Sequence, residues 1–288
     1  VPIAFIKREL PLDDAGQVIT RDLRQPDMFI PGAGLYLKAR ASASESELNL
    51  TDRLFVDGDQ PGDDSQPRPQ YDIKDLEVSY DGSRLLFALR FPEDPDADED
   101  EQPTWNIWEY DLPSDSLRRI IDSDIIAEAG QDTGPVYLPD GRIVFSSTRQ
   151  RSNQAILLDE GKPQYAGLEE SLNVHASVLH VMNADGSSIE QISFNQSHDL
   201  DPIVTTNGKL MFSRWDRAVN DKGMHLYRMN PDGSELEIVF GRHSHQQGIR
   251  TEQFVQSRIT EGGQVLVALR EYRESRLGGN YALLDVEG

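Results

Sequence analysis

An all-β fold built from repeated four-stranded units is what this sequence predicts, on three observations. "LHVMNADGSSIEQISF" from Leu179 and "HLYRMNPDGSELEIVF" from His225 are near copies, with Met182 and Met229, like Gly186 and Gly233, 47 residues apart. A second echo recurs four times: "DGSRLLFALR" at Asp81, "DGRIVFSSTR" at Asp140, "NGKLMFSRWD" at Asn207 and "GGQVLVALRE" at Gly262. Short apolar or alternating runs bounded by turn residues fill the remainder, and helical periodicity is sparse.

The elements of one unit follow in order. The first strand reads "DLEVSY", "GPVYLP", "DPIVTT" or "FVQSRI". Asp-Gly or Asn-Gly then supplies the positive φ angles of a tight hairpin turn. In the second strand Leu85, Ile143, Leu210 and Val265 correspond, as do Phe87, Phe145, Phe212 and Val267. It is apolar on both faces, as a strand sandwiched between two other sheets has to be. A loop of variable length leads to an amphipathic third strand, "NIWEYDL", "SVLHVMN", "MHLYRMN" or "YALLDVE". A second turn and a short polar strand, "LRRIID", "SIEQIS" or "ELEIVF", close the unit. Four hairpin-connected strands in repetition make a β-propeller blade.

The intervals Gly82–Gly141, Gly141–Gly208 and Gly208–Gly263 are 59, 67 and 55 residues. They exceed a period of ~40–50 residues, and the excess sits between second and third strands. "FPEDPDADEDEQPTW" is one such insertion, and "AGLEESL" in another is the best short helix. At the N-terminus, "VPIAFIKREL", "GLYLKAR" and "ELNLT" read as second, third and fourth strands. The expectation is a single, incomplete propeller domain over 1–288, with blades at 1–52, 71–122, 132–194, 199–241 and 252–288. Eighteen strands are expected, as three, four, four, four and three. A full ring of six blades is preferred, with seven as the alternative, and the chain reads as a piece of a longer one.

Bulk properties narrow the function. The formal net charge is -22, from 50 acidic and 28 basic residues, so nucleic acid is a poor partner. No apolar run approaches the ~18–20 residues of a transmembrane segment. With no cysteine, disulfides, thiolate metal sites, a cysteine nucleophile and haem bound covalently through C-x-x-C-H are excluded. No G-x-S-x-G, H-E-x-x-H or G-x-x-x-x-G-K-[ST] is present.

The turns "MNADGS" and "MNPDGS", with "LPDGRIVFSSTR", resemble the TolB-like (PD40) propeller repeat of bacterial envelope proteins. "YDIKDLEVSYDGSRLLFALR", "EQPTWNIWEYDL", "DGRIVFSSTRQR", "ISFNQSHDLDP" and "HLYRMNPDGSELE", spanning roughly Tyr71 to Phe240, resemble proteins related to the alpha subunit of hydrazine synthase. The resemblance implies an exported protein of the periplasm or outer envelope, often lipoprotein-anchored. In the hydrazine synthase subunit the propeller precedes c-type haem-binding parts, a pattern from which this Cys-free chain departs.

Three groups of residues are candidate sites. Asp57, Asp59, Asp63 and Asp64 surround two glycines in "VDGDQPGDDSQ", a loop chemistry that suits Ca²⁺ or is a solvated acidic turn. His198, Asp199 and Asp201 in "SHDLDP", and His243 and His245 in "GRHSHQQG", fall in connections between blades, at the mouth of the channel. Together they offer ligands for Zn²⁺ or another transition metal. The structural alternative has His198 and Asp199 capping turns and Asp201 bonding main-chain amides between blades. Arg90, Arg149, Arg214 and Arg270 fall near the ends of second strands. They either ring an anionic ligand or pair with carboxylates.

The leading expectation is therefore a non-catalytic binding or scaffold module that acts through its channel mouth and inter-blade loops on a protein partner or on the remaining domains of its own polypeptide. The alternative makes the propeller one wall of the active site of a larger haem- or metal-dependent redox enzyme.

Overall fold

The computed structural model describes residues 1–55, 70–98, 101–149, 175–216, 223–241, 252–271 and 279–286. Eighteen strands in these residues form five antiparallel sheets in simple up-and-down order. The first blade is β1 (Ile3–Arg8), β2 (Ala33–Lys38) and β3 (Leu48–Asn49). The second is β4 (Asp72–Val78), β5 (Arg84–Arg90), β6 (Asn106–Asp111) and β7 (Ser116–Arg119). The third is β8 (Asp132–Tyr137), β9 (Ile143–Ser147), β10 (Val178–Met182) and β11 (Glu190–Gln191). The fourth is β12 (Asp199–Val204), β13 (Leu210–Asp216), β14 (Gly223–Met229) and β15 (Glu237–Phe240). The fifth is β16 (Glu252–Ile259), β17 (Val265–Glu271) and β18 (Asn280–Leu284). The expected division of strands is the observed one. Among the described residues, helix is limited to a 3-10 turn at Asp52–Leu54 and α1 (Asp124–Ala127), which leads from β7 to the third blade. The "AGLEESL" stretch lies outside the described residues.

The second strands explain how blades stack. On β5, Leu85 and Phe87 pack with Leu35, Leu50 and Ile73 toward the first blade, while Leu86 and Ala88 pack with Tyr137, Ile143 and Phe145 of the third. On β9, Val144 points the other way, to Leu210 and Phe212 of β13. Met211 in turn joins Phe254, Val265 and Val267 of the fifth blade. Alternate side chains of one strand thus enter two different inter-blade cores, and a fully buried Phe or Leu contributes ~1.5–3 kcal/mol at each. Two of the third strands are less amphipathic than expected, whereas β18 of the fifth blade alternates between exposed and half-buried positions. β6 and β10 are buried almost throughout, because neighbouring sheets cover both of their faces.

The turns differ in detail from a two-residue hairpin. Gly82, Gly141 and Gly208 have φ of 71°, 89° and 81°, but the Asp or Asn before each keeps a negative φ. That side chain instead accepts the N–H two residues on: Asp81 from Ser83 at 3.0 Å, Asp140 from Arg142 at 3.1 Å, Asn207 from Lys209 at 3.3 Å. The glycine N–H bonds back three residues, to Ser79, Leu138 or Thr205. Each is an Asx-stabilised turn ending in a left-handed glycine.

The two "MN-x-DGS" turns are superimposable in their bonding. Asn183 and Asn230 each donate to a serine hydroxyl at 2.9 Å, and that serine donates to Asp185 or Asp232 at 2.7 or 2.6 Å. A Cβ on Gly186 would lie 2.4 Å from the carbonyl oxygen of Ile120, and one on Gly233 2.3 Å from that of Ile192. Ile120 follows β7 and Ile192 follows β11. The repeated turn is therefore the place where the third and fourth blades each seat against the end of the one before.

Candidate functional site

First strands lie next to one another in succession, β4 to β8 to β12 to β16, and line the channel. At one end the first strands begin, the second strands finish, and the inter-blade connections meet. Residues 9–32, the connection from β1 to β2, cross this mouth as a strap.

The strap is tied down by side chains of four blades. His198 Nε2 donates to the carbonyl of Arg24 at 3.1 Å, and Trp105 Nε1 donates to that of Asp27 at 2.9 Å. Lys74 Nζ donates to the carbonyl of Pro26 and Arg8 to that of Ile30. The N–H of Ile30 donates to Asp72 Oδ2 at 2.8 Å, and Arg21 reaches the same carboxylate at 2.6 Å. Leu23 packs on Leu200, Trp215, Met224, Val255 and Ala268. Burial lowers the pKa of Lys74, with Asp75 opposing that shift.

His198 and Asp199 are both fully buried at the start of β12. The N–H of Ser177 donates to His198 Nδ1 at 3.0 Å, which requires the proton to sit on Nε2, the atom facing Arg24. The ring also stacks on Trp215, centroids 5.4 Å apart. Asp199 takes a two-pronged contact from Arg214, 2.7 Å from Nε and 2.8 Å from Nη2. It further accepts from Ser193 at 2.6 Å and Asn195 at 3.2 Å. His243 and His245, and the four aspartates from Asp57 to Asp64, lie outside the described residues. Among the described residues no cluster of three or more His, Asp or Glu is placed to hold a metal ion.

The Asp–Arg pair is itself a repeat. Asp132 opens β8 and is held by Arg149 and by Ser147 Oγ at 2.6 Å. Burial pushes its carboxyl up to about 6, against the pull of Arg149. Asp72 opens β4 and pairs with Arg8 of the preceding blade at 2.5 Å as well as with Arg21. Arg90 instead pairs with Glu93 at 3.4 Å, and Arg270 is buried opposite Gln253 in register. Arg8, Arg21, Asp72, Asp132 and Lys74 were not singled out by sequence reasoning. The signal for three of them was present: Arg8 ends a second strand, and Asp72 and Asp132 open first strands as Asp199 does.

Asp201 sits deeper in the channel, away from His198 and Asp199. It occupies a β-bulge with φ 51°, matched by Asp75 (58°), Gly134 (59°) and Gln256 (53°) on the other first strands. Asp75 Oδ2 accepts the N–H of Gly134 at 2.9 Å, and Asp201 Oδ2 that of Gln256 at 3.1 Å. A small, open cleft lies beside these bulges, lined among others by Asp75, Glu77, Gly134, Asp201, Pro202 and Arg258. Burial, then Asp75, raises the pKa of Asp201, and burial raises that of Glu77 against the effect of Arg258.

No protein-family model and no curated protein matches this chain. Among solved structures, the hydrazine synthase of Kuenenia stuttgartiensis aligns over 99% of this chain and 37% of its own, with TM-score 0.66 and 18% identity. The chain folds as a propeller like that of hydrazine synthase. The propeller here spans little more than a third of the hydrazine synthase chain it matches. A protein described as TolB from Agrobacterium tumefaciens aligns over 72% of this propeller and 56% of its own chain, with TM-score 0.43 and 20% identity. Among the described residues no helix is long and apolar enough to cross a membrane.

Proposed function

We propose that this propeller is a non-catalytic binding and scaffold module of a bacterial cell-envelope protein, working through its channel mouth and inter-blade loops. One observation carries the reading. Both ring nitrogens of His198 are engaged by main chain, and both oxygens of Asp199 by side chains, so the most reactive groups at the mouth serve to hold blades and strap together. What varies from blade to blade is the connecting loops around them, the part of a rigid scaffold that most often carries recognition. The partner is a protein or another domain of the same polypeptide. Location in the periplasm or outer envelope, with a lipid anchor, rests on the resemblance of the repeats.

A second reading takes its support from the hydrazine synthase likeness, which runs along nearly the whole chain. There the propeller is one wall of a haem- or metal-dependent redox site, with His243 and His245 as metal ligands. Metal analysis of the purified wild type beside a His243→Ala, His245→Ala variant separates the two. The binding reading expects the same metal content in both. Metal in stoichiometric amount, lost with the two histidines, would overturn it.

A further inference from the structure

The strap is bonded to the blades in an unusual way. Arg8, Lys74, Trp105 and His198 all donate to its main-chain carbonyl oxygens, at Ile30, Pro26, Asp27 and Arg24. Water can replace such bonds at modest net loss, because an exposed carbonyl and an exposed donor each regain bonds to water. Leu23 is its one side chain in the apolar cluster at this mouth. The strap also holds its own shape. Gln25 N–H bonds the carbonyl of Asp22, and Met28 N–H that of Gln25, both at 3.0 Å. It ends at Gly32, which has φ 91° and nothing within 4 Å of where a Cβ would be.

From this we infer that residues 19–31 form a lid over the channel mouth that opens as a unit while the blades stay folded. The blades share alternating inter-blade cores, whereas the lid is fixed by single hydrogen bonds, by Arg21 and the Ile30 N–H on the one Asp72 carboxylate, and by the packing of Leu23 and Ile30. Opening uncovers Trp105 Nε1, Lys74 Nζ, His198 Nε2 and the Arg8 guanidinium where strap carbonyls had been. A ligand that displaces the lid therefore has to present oxygen acceptors, carbonyl or carboxylate, in their place. This inference rests on the mouth being the binding surface, but its test does not.

The test is hydrogen exchange read by mass spectrometry on the full chain with no ligand added. Peptides covering 19–31 are expected to exchange at least about tenfold faster than those covering β5, β9 and β13, because a locally opening segment has lower protection than the global core. Leu23→Asp should speed the lid by about a further tenfold and leave β5, β9 and β13 unchanged. Lys74→Met, which removes one donor and adds no charge, should act in the same direction should Leu23→Asp fail to fold. Exchange of residues 19–31 as slow as the blades in the wild type, or acceleration of lid and blades together in the variants, would overturn the lid. Since no ligand is present, neither result bears on whether the mouth binds a partner.

Discussion

Asp201 in one blade accepts the main-chain N–H of Gln256 in the next, at 3.1 Å, and does so from a left-handed backbone position. Asp75 makes the same bond to Gly134 two interfaces earlier, at 2.9 Å. Short polar side chains tolerate this backbone region because they bond locally. Asp201→Ala should cost about 2–4 kcal/mol, from the lost charge-assisted bond and the left-handed alanine together. Asp201→Asn keeps both an acceptor oxygen and the tolerance, so its cost should stay below about 1 kcal/mol. Urea unfolding of the two variants decides, and equal losses would show that the bond is not what holds the bulge.

The blade-seating role of the "MN-x-DGS" turn has a sharp control. Gly186 and Gly233 share their positive φ with Gly141 and Gly208, but only the first two abut a carbonyl of the preceding blade. Gly141→Ala and Gly208→Ala should cost about 1–2 kcal/mol, the price of a left-handed alanine. Gly186→Ala and Gly233→Ala should cost about 3 kcal/mol or more, since a backbone oxygen cannot yield as a side chain can. Stability measurements giving one value for all four would place the repeat's meaning in the turn alone.

Asp199 and Arg214 are buried together. Arg214→Met leaves the carboxylate buried without its cation, and about 3–5 kcal/mol should be lost. Adding Asp199→Asn should recover most of it. A double variant no more stable than Arg214→Met, in thermal or chemical unfolding, would mean that the pair is not a unit.

His180 gives a pH signature. Burial lowers its pKa from 6.5 to about 4, and its ring faces the carbonyls of Val178 and Arg149. The unfolded chain therefore binds a proton here between those values and the folded chain does not. The contribution to stability is present above pH 6.5 and is lost as pH falls toward 4, reaching ~3 kcal/mol when complete. Asp132 acts in the opposite sense: with its folded value raised to about 6, folding is favoured as pH falls through that value. The two overlap in the wild type, so comparison with His180→Phe isolates the first. The stability gap between wild type and variant should narrow from pH 7 to pH 4.5, and a constant gap would contradict the shift.

The blades were legible in the sequence because each repeats a turn, a doubly apolar strand and a polar closing strand. Period-2 burial and glycine turns are local, and local signals survive without an alignment. The strap was not legible. Its bonds run from His198 to Arg24 and from Trp105 to Asp27, between residues far apart in sequence, and they end on carbonyl oxygens, which every residue carries. The bulges hid for a related reason. Asp75, Gly134, Asp201 and Gln256 share a backbone conformation and not a residue type. Asp201 alone was marked, by its neighbours His198 and Asp199, and it proves to sit apart from them. The Asp–Arg pairs were half visible. The arginines were noted, but Asp72 and Asp132 become partners only once the register of first and second strands is known.

The most direct measurement is of the His198 ring itself, by ¹H–¹⁵N correlation of the imidazole nitrogens with and without Zn²⁺. As a strut between Ser177 and Arg24, His198 should show a proton on Nε2, a bare acceptor Nδ1, and no change when the metal is added. A ring whose nitrogens shift on adding Zn²⁺, and shift back with a chelator, would make the mouth a metal site and contradict the account.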